Sequence, residues 1–215
     1  AEMTLFSPLR VAVDGVYGKV DMGKTGNQDL KRAGWYAALA AECKTDFVTP
    51  GLTFWYASGD DANALDGSER MPVIDTDVAL TSFGYDGGMY NRSSTFNGTD
   101  ISGSWGIMAE LKDISFIEAL SHAFRVAMVK GTNNTEMVRG GVVARDAMGT
   151  VGNNMYLTTK DKLWEVNFDS QYKLYEGLTL AFELGYIYLD ADKELWNDLY
   201  KENNFQAAFS VNYKF

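Results

Sequence analysis

The feature that most constrains the fold is a pair of long segments in which apolar and polar residues alternate. In "WEVNFDSQYKLYEGLTLAFELGYIYLD" (164–190), apolar residues occupy almost every second position on both sides of "YEG". Alternate residues of a strand point to opposite faces, so each segment has an apolar and a polar face. Soluble strands average about five or six residues, whereas a membrane-spanning strand needs about 9–11. The segment therefore predicts a hairpin long enough to cross a membrane.

The same alternation recurs along the chain. In "NFQAAFSVNYKF" (204–215), every second residue from Phe205 to Phe215 is apolar. Eight strands are predicted at 9–20, 33–44, 51–58, 103–112, 121–130, 162–174, 178–189 and 205–215. Because both faces recur in every segment, we expect one fold class, an all-β, transmembrane, antiparallel up-and-down β-barrel with about eight strands in this chain.

The predicted connections alternate between short and long. Short turns are expected at 47–51, 113–121 and 175–177, long loops at 59–102, 131–161 and 190–204, and a moderate loop at 21–32. Short turns on one rim and long loops on the other are typical of outer-membrane barrels. One segment, "ISFIEALSHAF" (114–124), also fits a helical period, so a short helical turn at the rim is an alternative.

Composition excludes several classes of function. The chain has 215 residues, is 46% apolar and carries a net charge of −10, which argues against nucleic-acid binding. No stretch approaches 18 uncharged apolar residues, so a helical membrane span is not expected. A mildly negative mean hydropathy of −0.20 is compatible with a barrel, because half of each strand is polar. We expect one barrel region over 1–215.

The polar faces supply candidate pore-lining residues. A turn at 175–177 with Gly177 in a left-handed conformation would set Asp169 opposite Glu183, with Arg125 at a similar depth. Two facing carboxylates form either a cation-attracting patch or a proton-sharing pair, unless pore water screens both. The candidate residues are Asp14, Arg125, Glu165, Asn167, Asp169 and Glu183.

The predicted loop at 59–102 is long and strongly acidic. Folded into a lumen, it would act as a constriction loop whose charges set selectivity, with Asp60, Asp61, Asp66, Glu69 and Arg70 as its candidate residues. A solvated surface loop is the alternative. Asp60, Asp61 and Asp66, with Asn63, also suggest Ca²⁺ as a cofactor, although the spacing does not match an EF-hand. No other cofactor is expected.

Enzyme chemistry has little support in the sequence. His122 is the only histidine and adjoins Ser121, but a nucleophile also needs an orienting group. We therefore expect no enzymatic activity, with a membrane-embedded lipid hydrolase as the weaker alternative. The single Cys43 allows no internal disulfide and is expected to be a small apolar residue on an outward face.

Several segments resemble the outer membrane homotrimeric porins of sulfate-reducing bacteria. They are "LTFWYASGDD", "GSERMPV", "WGIMAELKDISFIEALSHAFRVAMVKGTN", "YKLYEGLTLAFELGYIYLD" and "AAFSVNYKF". The resemblance runs from about residue 33 onward and corresponds to the C-terminal part of the family's chain. It implies a bacterial outer-membrane location, lipid and lipopolysaccharide as surroundings, a homotrimer, and a terminal aromatic residue that marks the chain for insertion.

The resemblance implies a porin for passive diffusion of small hydrophilic solutes or ions. A barrel of about eight strands has a filled interior, whereas aqueous pores have about 16–18. We therefore expect further N-terminal strands or another chain to complete a larger barrel. The alternatives are a small closed outer-membrane barrel with a structural or adhesive role and a soluble ligand-binding β-barrel.

Overall fold

The chain forms one antiparallel sheet of consecutive strands. The computed structural model describes residues 2–63, 65–72, 80–85, 101–136, 157–196 and 203–215. Within them each strand pairs with the next along the chain. The strands are β1 (Glu2–Phe6), β2 (Leu9–Thr25), β3 (Gln28–Cys43), β4 (Thr49–Ala57), β5 (Ser104–Ile117), β6 (Leu120–Gly131), β7 (Lys162–Tyr175), β8 (Leu178–Asp190) and β9 (Asn203–Tyr213). A four-residue helix, α1 (Lys193–Trp196), follows β8.

All eight predicted strands are present, as β2 to β9, and β1 is an additional one. The prediction of a moderate loop at 21–32 is wrong, because β2 and β3 continue to a two-residue turn at 26–27. Gly26 has a φ of +61°, the left-handed conformation that such a tight hairpin needs. A salt bridge of 2.7 Å between Lys24 and Asp29 joins the strand ends beside the turn. Both faces of these strand ends are mostly polar, so the sequence lacks the apolar–polar alternation that would predict them.

The segment at 113–121 was expected to be a turn, yet β5 runs through it to Ile117. Its pairing with β6 shifts twice, between Leu111 and Ile114 and between Ile114 and Ile117. Each shift adds one residue to β5, so paired apolar residues recur every third position and imitate a helical period. The helical alternative is therefore wrong, and the turn consists of Glu118 and Ala119.

The connections divide the sheet into two rims. The turn rim carries the short connections at 7–8, 44–48, 118–119 and 176–177. The loop rim carries the long connections at 58–103, 132–161 and 191–202, together with the tight turn at 26–27. Phe215 lies at the turn rim, where the Lys214 amide donates a 2.8 Å hydrogen bond to the Gly177 carbonyl. The expected separation of short and long connections is confirmed except at 26–27.

The hairpin between β7 and β8 has the predicted register. Asp169 pairs directly with Glu183. Gly177 has a φ of +79°, as the turn requires. Only Glu176 and Gly177 form the turn, and an irregularity between Lys173 and Tyr175 keeps the expected pairing beyond it. The apolar and polar faces of both strands are therefore aligned.

The two faces of the sheet differ in their exposure to solvent. On the outer face, Phe168 and Phe182 are each 39% exposed and Phe209 is 67% exposed. On the inner face, residues such as Trp55, Leu163 and Ile187 are buried. Large apolar side chains thus cover the surface that faces away from the packed interior.

The sheet is open within the described residues, since β1 and β9 each pair along one edge only. Closure into a barrel is therefore not seen. None of the helices in the described part of the chain is both long and apolar enough to cross a membrane.

Candidate functional site

A continuous row of polar and glycine residues crosses the inner face, from the turn-rim end of β2 to the loop-rim half of β9. The register pairs each member of this polar row with the next across eight strands. Its members, from β2 to β9, are Arg10, Glu42, Gly51, Glu110, Arg125, Asn167, Gly185 and Gln206. No apolar side chain interrupts it, so this band of the inner face is hydrophilic.

Ion pairs connect the charged members of the polar row, and Lys112 beside the row links Glu42 to Glu110. Arg10 Nη1 lies 2.9 Å from Glu42 Oε1, and Lys112 Nζ contacts the other oxygen of Glu42. Lys112 Nζ is also 3.7 Å from Glu110 Oε1, and Arg125 Nε is 3.5 Å from Glu110 Oε2. The result is a ladder of ion pairs from β2 to β6.

Gly51 allows this ladder to pass over β4. A Cβ atom at this position would lie 2.9 Å from Cγ of Glu110 and 3.0 Å from its Oε1. Any larger residue would therefore push Glu110 away from Lys112. Because Gly51 has no side chain, the carboxylate of Glu110 can lie between Lys112 and Arg125.

The predicted carboxylate pair lies at the β7 end of this ladder. Asp169 and Glu183 are directly opposite each other and are 3% exposed. The guanidinium of Arg125 forms an ion pair with Asp169 Oδ2. The predicted guanidinium therefore lies beside Asp169, and Glu183 is opposite Asp169 on β8. Asp14 lies apart, four residues along β2 from Arg10 or roughly 13 Å, and its Oδ1 accepts a 2.8 Å hydrogen bond from the Gly15 amide.

Glu165 binds a loop instead of facing an open channel. Its carboxylate accepts hydrogen bonds from the amides of Phe83 and Gly84, at 3.2 and 3.0 Å, and from the Thr81 hydroxyl at 2.9 Å. The side-chain amide of Asn167 donates a fourth, at 2.8 Å. The segment at 80–85 therefore lies on the inner face, within the predicted constriction loop.

An apolar cluster fills the half of the inner face nearest the loop rim. Trp55 and Tyr85 contact each other edge to face, with ring centroids 6.3 Å apart. Phe83, Leu157 and Ile187 are buried in the same cluster. The expectation of a polar, water-lined inner face is therefore wrong for this half, because loop side chains pack on it.

The candidate acids of the constriction loop separate into two groups. Carboxylate oxygens of Asp60, Asp61 and Glu69 lie within 4.8 Å of one another, and Asp66 is outside this group. Arg70 is 2% exposed, and its carbonyl accepts a hydrogen bond from Arg32 Nε at 3.1 Å. The remaining charged residues of the loop, Asp75, Asp77, Asp86, Arg92 and Asp100, lie outside the described residues, as does 137–156 of the predicted loop at 131–161.

Loop and wall meet in a way that the sequence did not indicate. The acidic composition of the loop favours loop acids facing wall bases, whereas at Glu165 a wall carboxylate accepts hydrogen bonds from loop donors. Two of these donors are backbone amides, which carry no side-chain signature. Thr81 and Gly84 gave no distinct signal, because hydroxyl residues and glycines recur throughout the predicted loop at 59–102.

His122 lies on the outer face, apart from the polar row. Its Nδ1 is 2.7 Å from Ser170 Oγ, and its ring stacks on Phe168 with centroids 5.5 Å apart. Its hydroxyl neighbour in the structure is therefore on the paired strand β7, whereas the sequence suggested Ser121. Cys43 is half-buried at the end of β3.

No protein-family model matches this chain, and no curated protein shows significant similarity to it. The likeness to homotrimeric porins therefore stays a prediction drawn from the quoted segments. Any functional conclusion depends on the geometry of the two faces.

Proposed function

We propose that this chain forms part of the wall of a bacterial outer-membrane porin through which small hydrophilic solutes or ions diffuse passively. The observation that carries the proposal is the opposite character of the two faces. Phe168, Phe182 and Phe209 are exposed on the outer face, and the polar row lies on the inner one. A transmembrane barrel needs this arrangement, with apolar residues toward lipid and polar residues toward the lumen.

The charges on the polar row and beside it support a weak preference for cations. Four carboxylates (Glu42, Glu110, Asp169 and Glu183) meet three bases (Arg10, Lys112 and Arg125) at this level. Rings of charged side chains set ion selectivity in pores. The excess of one carboxylate therefore favours cations.

A pore requires more wall than this sheet provides. About 16–18 strands enclose an aqueous channel, whereas the described residues form nine strands in an open sheet. The free edges of β1 and β9 would pair with further strands of the same protein or of another chain. A homotrimer surrounded by lipid and lipopolysaccharide follows from the resemblance to porins.

A second candidate is a small closed outer-membrane barrel with a structural or adhesive role. The apolar cluster around Trp55 and the binding of the loop by Glu165 favour it, because both fill the interior. A soluble ligand-binding barrel has less support, since its outer face should be polar. The two membrane candidates differ in whether ions cross.

Planar-bilayer recording of the purified protein tests the proposal. We expect discrete conductance steps, and a cation-over-anion permeability ratio that falls about twofold in the double variant Asp169→Asn, Glu183→Gln because the acid excess is lost. Glu176→Gln, in the exposed turn between β7 and β8, is the matched control and should leave the ratio unchanged. Folded, inserted protein that gives no conductance above leak would contradict the proposal and favour the closed barrel.

A further inference from the structure

Three carboxylates converge in the loop that follows β4. One oxygen from each of Asp60, Asp61 and Glu69 lies within 4.8 Å of the other two. Calcium binds oxygen ligands at about 2.3–2.6 Å, so ligands on opposite sides of the ion are separated by up to about 5 Å. The spacing therefore matches a calcium shell, although converging acids alone do not make a site.

The carboxylate of Asp60 gives an independent indication. Asp60 is only 4% exposed, and its Oδ2 accepts no hydrogen bond within the described part of the chain. A buried carboxylate oxygen without a donor costs free energy unless a cation or a proton compensates it. The oxygen belongs to the same side chain that contributes to the cluster, so a bound cation would satisfy it.

The backbone around the cluster is already fixed by hydrogen bonds. The Asp60 amide donates to Asn133 Oδ1 at 3.0 Å, and the Asp60 carbonyl accepts from the Asn134 amide at 2.8 Å. The Asp61 amide donates to Glu69 Oε2 at 3.2 Å. Hydrogen bonds between the loop after β4 and the loop after β6 thus hold the carboxylate oxygens in place before any ion binds.

We propose that Asp60, Asp61 and Glu69 bind a Ca²⁺ ion that links these two loops. Three carboxylates outnumber the single guanidinium of Arg70 beside them, and a divalent cation balances the remaining charge. Asp66, which the sequence suggested as a ligand, lies outside the cluster. Carboxylate oxygens in an irregular loop suit Ca²⁺, which tolerates variable coordination geometry, better than Mg²⁺, which demands a stricter octahedral shell.

Isothermal titration of the full chain in detergent with CaCl₂ at pH 7.5 tests the site. We expect a dissociation constant of about 10⁻⁴–10⁻³ M, typical of extracellular calcium modules, and weaker binding of MgCl₂. Asp60→Asn and Glu69→Gln should each weaken binding at least about tenfold. Asp61→Asn, at an exposed position, gives the same test with little risk to folding, because the hydrogen bond that Asp61 Oδ1 accepts from the Asn63 amide, at 2.6 Å, lies at the surface.

Asp66→Asn is the matched control and should bind calcium like the unchanged protein. The proposal is overturned if CaCl₂ gives neither heat nor a rise in thermal stability. It is equally overturned if Asp66→Asn weakens binding as much as Asp61→Asn does. Neither outcome depends on channel activity, so the result is separate from the test of the porin proposal.

Discussion

At the scale of single residues, Glu165 shows how a strand residue can hold a loop. Its side chain is 1% exposed and accepts hydrogen bonds from Thr81, Phe83 and Gly84. A buried carboxylate is tolerated when donors satisfy its oxygens, and hydrogen bonds to a charged group contribute about 1.5–3 kcal/mol each. Glu165 is therefore the principal polar contact between the segment at 80–85 and the inner face.

Replacing Glu165 with Gln should release this segment. The side-chain NH₂ group of Gln would face the hydrogen-bond donors of Thr81, Phe83 and Gly84 in place of an acceptor. We therefore expect the segment to lose about 2–4 kcal/mol of stability. Hydrogen exchange of the amides at 81–84 measures this, with Glu118→Gln in an exposed turn as control. Unchanged protection of these amides in Glu165→Gln would show that the apolar cluster alone holds the segment.

Asp60 makes stability depend on pH in the absence of calcium. Burial raises its pKa from 3.8 to about 6. Between pH 3.8 and 6 the carboxyl group therefore keeps its proton in the folded protein and loses it in the unfolded chain. Stability should therefore fall as pH rises from 4 to 6 and stay level above it, by up to ~3 kcal/mol for a shift of about two units. Thermal unfolding in a chelator at several pH values should show this fall, and Asp60→Asn should remove it. A rise in stability over the same interval would contradict the assigned direction.

At the scale of elements, β8 shows why a strand on the inner face contains a glycine. Gly185 pairs with Asn167 in the polar row, and Phe83 lies directly over it. A Cβ atom at residue 185 would lie 2.5 Å from Cβ of Phe83. Glycine in a strand interior marks a close approach of this kind. The wall and the loop thus fit each other only because this position lacks a side chain.

The variant Gly185→Val should push the segment at 80–85 off the inner face while the strands stay paired. Gly15→Val is the matched control, because a Cβ atom there meets nothing closer than the Tyr36 carbonyl oxygen at 3.9 Å. Hydrogen exchange should show lost protection at 81–84 in Gly185→Val and normal protection in the control. Equal effects of the two variants would indicate a general loss of strand stability.

The strands could be predicted from sequence where one face is apolar and the other polar. β7, β8 and β9 satisfy this condition along most of their length, and their boundaries agree within two residues. The prediction failed at 21–32, where both faces are polar, and at 111–117, where two bulges replace a period of two by three. Apolar–polar alternation does not predict a strand at such positions.

The site was predictable only where side chains determine it. The pairing of Asp169 with Glu183 followed from strand period and turn geometry, and it is confirmed. The binding of Glu165 by amides of Phe83 and Gly84 could not be foreseen, because every residue has a backbone amide. Whether Glu69 or Asp66 joins Asp60 and Asp61 in the carboxylate cluster likewise depends on how the loop folds.

At the scale of the whole molecule, the outer face requires a covering. It exposes Trp164, Phe168, Phe182, Tyr186 and Phe209, among other large apolar residues on neighbouring strands. Soluble monomers rarely expose a continuous apolar patch larger than a few hundred Å². Lipid is the covering that the porin proposal supplies, and it accounts for aromatic residues along the whole face.

Electron paramagnetic resonance of nitroxides along β8 tests this central claim most directly. Cys43 is replaced by Ser, and single cysteines at residues 180–184, 186 and 187 carry the label in protein reconstituted into bilayers; Gly185 is left out because a side chain there would clash with Phe83. We expect even positions, which include Phe182 and Leu184, to collide more with oxygen dissolved in lipid. Odd positions, which include Glu183 and Ile187, should be shielded from oxygen, with a period of two along the strand. Equal accessibility of even and odd positions to a water-soluble relaxation agent would contradict the claim that this sheet is a membrane-spanning wall.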